Sequence, residues 1–213
     1  LGSGFFDTDY INAGATITKE PDELFMKSDM IVKVKEPQKI ECAKLRPDQI
    51  LFTYLHLAPD EEQTADLIKS GVTAFAYETV TDDSGALPLL APMSEVAGRL
   101  APQMGAWALQ KANGGSGMLL GGVPGVSPAN VLIIGGGVVG TQAAIIASGM
   151  GAKVTLMDNS ISRLKYLDQI FFSRFITSFA SPENIKKAIV DSDMIIGAVL
   201  IPGAEAPKLI AKS

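Results

Sequence analysis

The chain has 213 residues, 47% of them hydrophobic, enough apolar side chain for one large core or two small ones. Lys+Arg 18 against Asp+Glu 23 gives a net charge of -5, and no basic block or basic helix face offers a phosphate-backbone footprint, which argues against nucleic acid as a partner. Cys42 is the only cysteine, so intramolecular disulfides and thiolate metal clusters are excluded. No apolar run approaches the roughly 20 residues that cross a bilayer and no signal segment opens the chain, so the expectation is a cytoplasmic protein with no membrane partner.

Asp9 to Gly14 suggests a short helix before Ala15-Thr-Ile-Thr18, and Pro21 to Met26 another, leading into Met30-Ile-Val-Lys-Val-Lys35. That run alternates like a strand and is stopped by Pro37. Ile50 to His56 reads as a second strand of aromatic and β-branched residues. Pro59-Asp-Glu-Glu62 carries the acids of a first helical turn, Ala65, Leu67 and Ile68 form its expected inner face, and Gly71 ends it. Val72 to Tyr77 is a third strand, followed by a turn at Asp82-Asp-Ser-Gly85. Strands alternating with helices argue for a parallel sheet. Ser94 is a candidate N-cap for a long helix with apolar positions Val96, Ala97, Leu100, Met104, Trp107 and Leu109, kinked at Pro102.

Residues 113–130 include six glycines and two prolines, and the domain boundary is placed there, giving domains 1–130 and 131–213. Beyond it the pattern is strand 131–135, helix 138–150, strand 153–157, helix 160–170, strand 174–179, helix 182–191 and strand 194–200. Gly135, Gly137 and Gly140 in Val131-Leu-Ile-Ile-Gly-Gly-Gly-Val-Val-Gly140 match G-x-G-x-x-G. In that pattern the first glycine permits a tight turn, the second a close approach to a pyrophosphate, and the third close packing of helix on strand. Asp158 ends the second strand where a carboxylate meets an adenosine ribose 2'-hydroxyl. The fold class is therefore α/β: a Rossmann-type doubly wound parallel sheet plus a second α/β substrate domain. Both domains look incomplete, because Leu1 opens directly into Gly2-Ser-Gly-Phe-Phe6 and Ile210 to Ser213 stops inside an expected helix.

His56 is the sole histidine, at the end of an apolar strand, where an imidazole could give and take protons or sit half-buried against backbone. Lys33 and Lys35, two apart, share one face; they suit a carboxylate or carbonyl substrate, or else protect a sheet edge. Glu36 could pair with either lysine. Ser94 could present a hydroxyl and a helix N-terminus to a cofactor or be a bare cap. Asn159 and Ser160 stand where a 2'-phosphate binder would want a cation, which favours NAD over NADP; Arg163, nearby, weakens the inference unless it is a solvated helix residue. Val199-Leu-Ile-Pro-Gly203 borders the nicotinamide pocket or is a strand running into a turn.

Lys33-Val-Lys-Glu-Pro37, Leu51-Phe-Thr-Tyr-Leu-His-Leu-Ala58, Ala76-Tyr-Glu-Thr-Val80, Pro88 to Arg99, Gly121-Gly-Val-Pro-Gly-Val126, Gly197 to Gly203 and Ala206-Pro-Lys-Leu209, in this order, resemble the alanine dehydrogenase family over essentially the whole chain. The resemblance implies NAD-dependent, reversible deamination of L-alanine to pyruvate and ammonium, in a homo-oligomer, a hexamer, whose substrate and Rossmann domains close over a cleft. It implies a substrate-binding role for Lys35 and a catalytic role for His56, and places Ser94, Asp158, Arg163, Val199 and Leu200 near NAD. It also implies a substrate-gripping arginine upstream of Leu1 and a catalytic aspartate beyond Ser213, so that this stretch by itself is expected to turn over poorly. The nucleotide-binding module of proton-translocating transhydrogenase is similar in architecture, but it lacks this lysine and histidine pair and carries an Arg-Gln-Asp-type loop where this chain reads Leu87-Pro-Leu-Leu-Ala-Pro92. A non-catalytic NAD-binding remnant is the third alternative.

Overall fold

The computed structural model describes residues 2–201, 204 and 207–210. The chain divides into two compact units, residues 1–80 and 81–213. The expected linker, residues 113–130, thus lies inside the second unit.

In the first unit, α1 (Asp7–Asn12) and α2 (Pro21–Lys27) precede β1 (Met30–Val32), α3 (Lys39–Cys42), β2 (Ile50–Thr53), α4 (Glu61–Ser70) and β3 (Thr73–Ala76). The strands form a parallel sheet in the order β1-β2-β3, with Ile31 opposite Leu51 and Leu51 opposite Ala74. Phe25, Ile31, Cys42, Leu45, Leu51, Leu55 and Leu67 make its core. Asp60 caps α4 by accepting from the Gln63 amide at 2.9 Å, and Gly71 ends it in the left-handed conformation. Of the inner face expected for α4, Leu67 is buried, whereas Ala65 and Ile68 face solvent and the buried neighbour is the polar Gln63. The strand expected over 30–35 is paired residue for residue to Val32, and its backbone bonding to the β2 segment runs on, Lys33 N–H donating to the Phe52 carbonyl at 3.2 Å and Tyr54 N–H to the Val34 carbonyl at 3.4 Å. Side-chain hydroxyls add to these, Thr53 donating to the Lys35 carbonyl at 3.0 Å and Tyr77 to the Lys33 carbonyl at 3.2 Å.

The second unit opens with α5 (Ala91–Ala108) and continues through β4 (Asn130–Ile134), α6 (Val138–Gly149), β5 (Lys153–Asp158), α7 (Ile161–Phe171), β6 (Ile176–Phe179), α8 (Pro182–Val190) and β7 (Met194–Gly197). All ladders are parallel and the order is β6-β5-β4-β7, so chain direction across the sheet reverses beside β4. Open α/β sheets place ligands beyond the carboxyl ends of the strands at such a point. Val131, Ile133, Leu156, Leu164, Leu167 and the alanines Ala143, Ala144 and Ala147 fill the core on one face; Leu132, Ile134, Met157 and Ile185 fill the other. Among the described residues no helix is long and apolar enough to cross a membrane.

The inner face of α5 differs from the one its apolar periodicity suggested. Val96, Ala97, Leu100, Met104 and Trp107 are exposed; of the expected face only Leu109, at the helix end, is buried, and the buried positions within the helix are Gly98 and Pro102. A side chain on Gly98 would strike the Val139 carbonyl and the Gln142 Cβ, and one on Gly105 would strike Met194. Close approach of α5 to α6 and β7 thus selects for small residues, and hydrophobicity counts pass over them. Ser94 is also not the cap: Leu90 is, and the Ser94 amide donates to the Leu90 carbonyl at 3.1 Å within the first turn.

Candidate functional site

In the second unit, β4 runs into Gly135 at φ +108, a conformation open to glycine. A Cβ at Gly135 would lie 2.5 Å from the Ala198 carbonyl oxygen, and one at Gly140 would overlap the Gly135 carbonyl. Gly137, by contrast, has nothing within 4 Å of its Cβ position and faces a cleft. That cleft, of about 700 Å³, is lined by Gly135, Gly137, Asp158, Val199, Leu200 and Ser94, together with Gly85 to Pro88, Leu90 and Ala91. Gly140 packs beneath the turn. Of the run Val199 to Gly203, Pro202 and Gly203 lie outside the described residues.

Asp158 and Arg163 hold the turn through its middle residue. The Gly136 amide donates to Asp158 Oδ2 at 2.7 Å, while Asp158 Oδ1 accepts from the Ser160 amide at 2.8 Å. Arg163 Nε donates to the Gly136 carbonyl at 2.6 Å and its Nη2 to Thr141 Oγ1 at 3.0 Å; the guanidinium also lies 5.1 Å from the Tyr166 ring centroid. Arg163 is therefore partly buried against the glycine turn and is not among the residues lining the cleft. The spacing of the glycines and the acid was legible in the sequence. The lining of the cleft by Gly85 to Pro88 and Leu90 was not, because such a loop carries no polar signature.

In the first unit, His56 follows β2 at φ +47, stacked on Tyr54 with ring centroids 5.7 Å apart and planes 6° from parallel. Histidine is among the few non-glycine types enriched in that region. The two lysines separate in role: Lys33 Nζ donates to Glu41 at 2.5 Å in a partly buried pair, whereas Lys35 is 80% exposed and donates to Glu36 at 3.1 Å. Glu36 lies within the fields of both Lys35 and His56. Its carboxyl is held below the ordinary value first by its own backbone amide and then, against burial, by Lys35 and His56. Lys33 is thus paired elsewhere, and Lys35 and Glu36 pair within the field of His56. A residue given no role by sequence reasoning, Glu78, sits directly behind it, with the His56 amide donating to Oε1 at 2.8 Å. The available signal was a carboxylate just past an apolar strand, at the end where such sheets place ligands.

A glycine turn feeding a helix, an acid ending the next strand and a cleft at the carboxyl edge of a parallel sheet define a nucleotide-binding α/β protein. The profile described as "Alanine dehydrogenase/PNT, C-terminal domain" matches residues 101–213, and "Alanine dehydrogenase/PNT, N-terminal domain" matches residues 1–97. The chain belongs to the alanine dehydrogenase/PNT family. It is 54% identical to the alanine dehydrogenase of Halomonas elongata over 99% of its own length, and 53% identical to that of Methanococcus maripaludis over 100%. It spans 57% of the length of each. A solved L-alanine dehydrogenase superposes with TM-score 0.87 at 48% identity, covering 99% of this chain and 58% of the other. The transhydrogenase from Sinorhizobium meliloti follows at TM-score 0.73 and 25% identity, covering 98% and 60%.

Proposed function

We propose that the protein catalyses the NAD-dependent oxidative deamination of L-alanine: alanine, NAD and water give pyruvate, ammonium, NADH and a proton. The observation that carries the reading is the identity of about half the residues with alanine dehydrogenases along the whole chain. The cleft fits the cofactor, since Gly137 leaves open the space a side chain would fill at the head of α6. When bound, NAD supplies the acceptor for the hydride that leaves the alanine Cα.

The chain's own residues do the rest. Amides at the start of α6 receive the pyrophosphate, and Asp158, whose oxygens keep lone pairs beyond those used by Gly136 and Ser160, accepts a ribose hydroxyl. Val199, Leu200 and Ser94 border the nicotinamide end, and Arg163 keeps the glycine turn in place. Lys35, free of any ladder, offers its ammonium to the substrate carboxylate or the developing carbonyl oxygen. His56 moves the protons as water adds to the iminium and ammonia departs. By family likeness the working form is a homo-oligomer, a hexamer, in the cytoplasm, with the substrate residues Lys35 and His56 in the first unit and the cofactor cleft in the second.

The test is NADH formation by the polypeptide of the complete gene. The expectation is turnover with L-alanine and NAD, and loss of turnover in Lys35→Met and His56→Ala. Hydride exchange between NAD and NADP species without any need for alanine would favour the transhydrogenase relationship instead, and NAD binding without turnover a non-catalytic remnant.

A further inference from the structure

We propose that Glu78 and Gln63 are positioning residues for His56: together they clamp the peptide before it and hold it in a left-handed conformation that aims the imidazole. The role of the imidazole rests on the function proposed above; the clamp itself does not.

The unusual feature is the burial of a carboxylate with no cation to balance it. Glu78, in the short turn after β3, is 8% exposed, and among the described residues it has no ion-pair partner. Burying a carboxylate is costly unless its lone pairs are met by donors. Here the donors are backbone amides: Leu55 N–H donates to Oε1 at 3.2 Å and to Oε2 at 3.3 Å, and His56 N–H to Oε1 at 2.8 Å. On the other side of the same segment Gln63, itself 7% exposed, donates from Nε2 to the Leu55 carbonyl at 2.5 Å. The peptide entering His56 is therefore gripped at both its N–H and its C=O.

The grip has a target. In a continued strand successive side chains alternate between faces, and His56 would stand on the same face as Tyr54 with both rings perpendicular to the sheet. Instead His56 turns to φ +47, and its ring lies flat on Tyr54. A non-glycine residue in that region is strained and persists where surrounding structure enforces it. Glu78 is suited to enforce it because a carboxylate only accepts hydrogen bonds. A glutamine there would turn an NH2 group toward one of the amides.

The test compares the parent with Glu78→Gln, which keeps size, and Gln63→Met, which keeps size and removes the Leu55 carbonyl's partner. His56 is the only histidine, so its imidazole protons are assigned without ambiguity, and their cross-relaxation with the Tyr54 ring reports its orientation in the chain itself. The expected result in E78Q is loss of that contact while amide signals of β2, β3 and α4 persist. In the polypeptide of the complete gene, kcat is expected to fall on the order of 100-fold while the KM for alanine moves by no more than about threefold. Retention of both the ring contact and kcat overturns the proposal, as does a loss of kcat with the ring contact intact. If the parent itself does not turn over alanine, the dehydrogenase reading fails and the ring contact still decides the clamp. If E78Q does not fold, the ring contact and kcat of Q63M decide the proposal in the same way.

Discussion

Arg163 donates to the carbonyl of Gly136 at 2.6 Å while the amide of that same glycine is held by Asp158, so a cation and an anion fix the middle of the dinucleotide turn from opposite ends of one residue. The arrangement makes Arg163 a brace for the turn. Replacement by methionine keeps the aliphatic stem and removes the donors, and is expected to weaken NAD binding on the order of tenfold, about 1.4 kcal/mol. Titration calorimetry on the variant measures it.

The glycines of the turn should separate by what surrounds them. Gly140→Ala drives a methyl into the Gly135 carbonyl and is expected to destabilise the second unit by about 1–3 kcal/mol. Gly137→Ala meets no protein atom within 4 Å, so its melting temperature should hold while NAD affinity falls. Thermal unfolding with and without NAD distinguishes the pair.

Asp158→Asn removes a negative charge from the wall of the cleft and leaves an amide that cannot accept from both Gly136 and Ser160. Preference for NAD over NADP is expected to drop by roughly tenfold or more, about 1.4 kcal/mol. Competition of the two cofactors for the purified variant reads the ratio directly.

The Lys33–Glu41 pair predicts a pH dependence. Burial pushes the Glu41 carboxyl up, but Lys33 and the Gln38 amide outweigh it and hold the carboxyl below its ordinary 4.5. A depressed folded-state value means the contribution is complete above about 4.5 and is lost as pH falls through the lower folded value. Glu41→Gln should therefore cost about 1–2 kcal/mol at neutral pH and progressively less in that acid window. Urea unfolding midpoints of parent and variant, compared across the window, test the sign.

The two units were legible to different depths. The strand, glycine turn, helix, strand and acid from Val131 to Asp158 follow from backbone requirements that glycine alone meets and from continuous apolar runs of strand length, and the observed β4, α6 and β5 lie within a residue or so of expectation. The face of α5 was illegible because close helix packing is written in Gly98 and Gly105, which contribute no hydrophobicity. His56 was legible as a sole imidazole at a strand end, but its left-handed backbone was not. That conformation is imposed by Glu78 and Gln63, whose amide and carbonyl partners come together only on folding. Arg163 illustrates the converse: its closeness in sequence to Asp158 was readable, and its attachment to Gly136 was not.

The most direct test of the central claim is to supply the polypeptide of the complete gene with NAD and L-alanine carrying deuterium at Cα, and to follow the label by mass spectrometry. The expected result is deuterium in the NADH formed, in step with pyruvate, and its disappearance in His56→Ala. NADH that stays unlabelled, or pyruvate formed without NADH, would contradict the assignment.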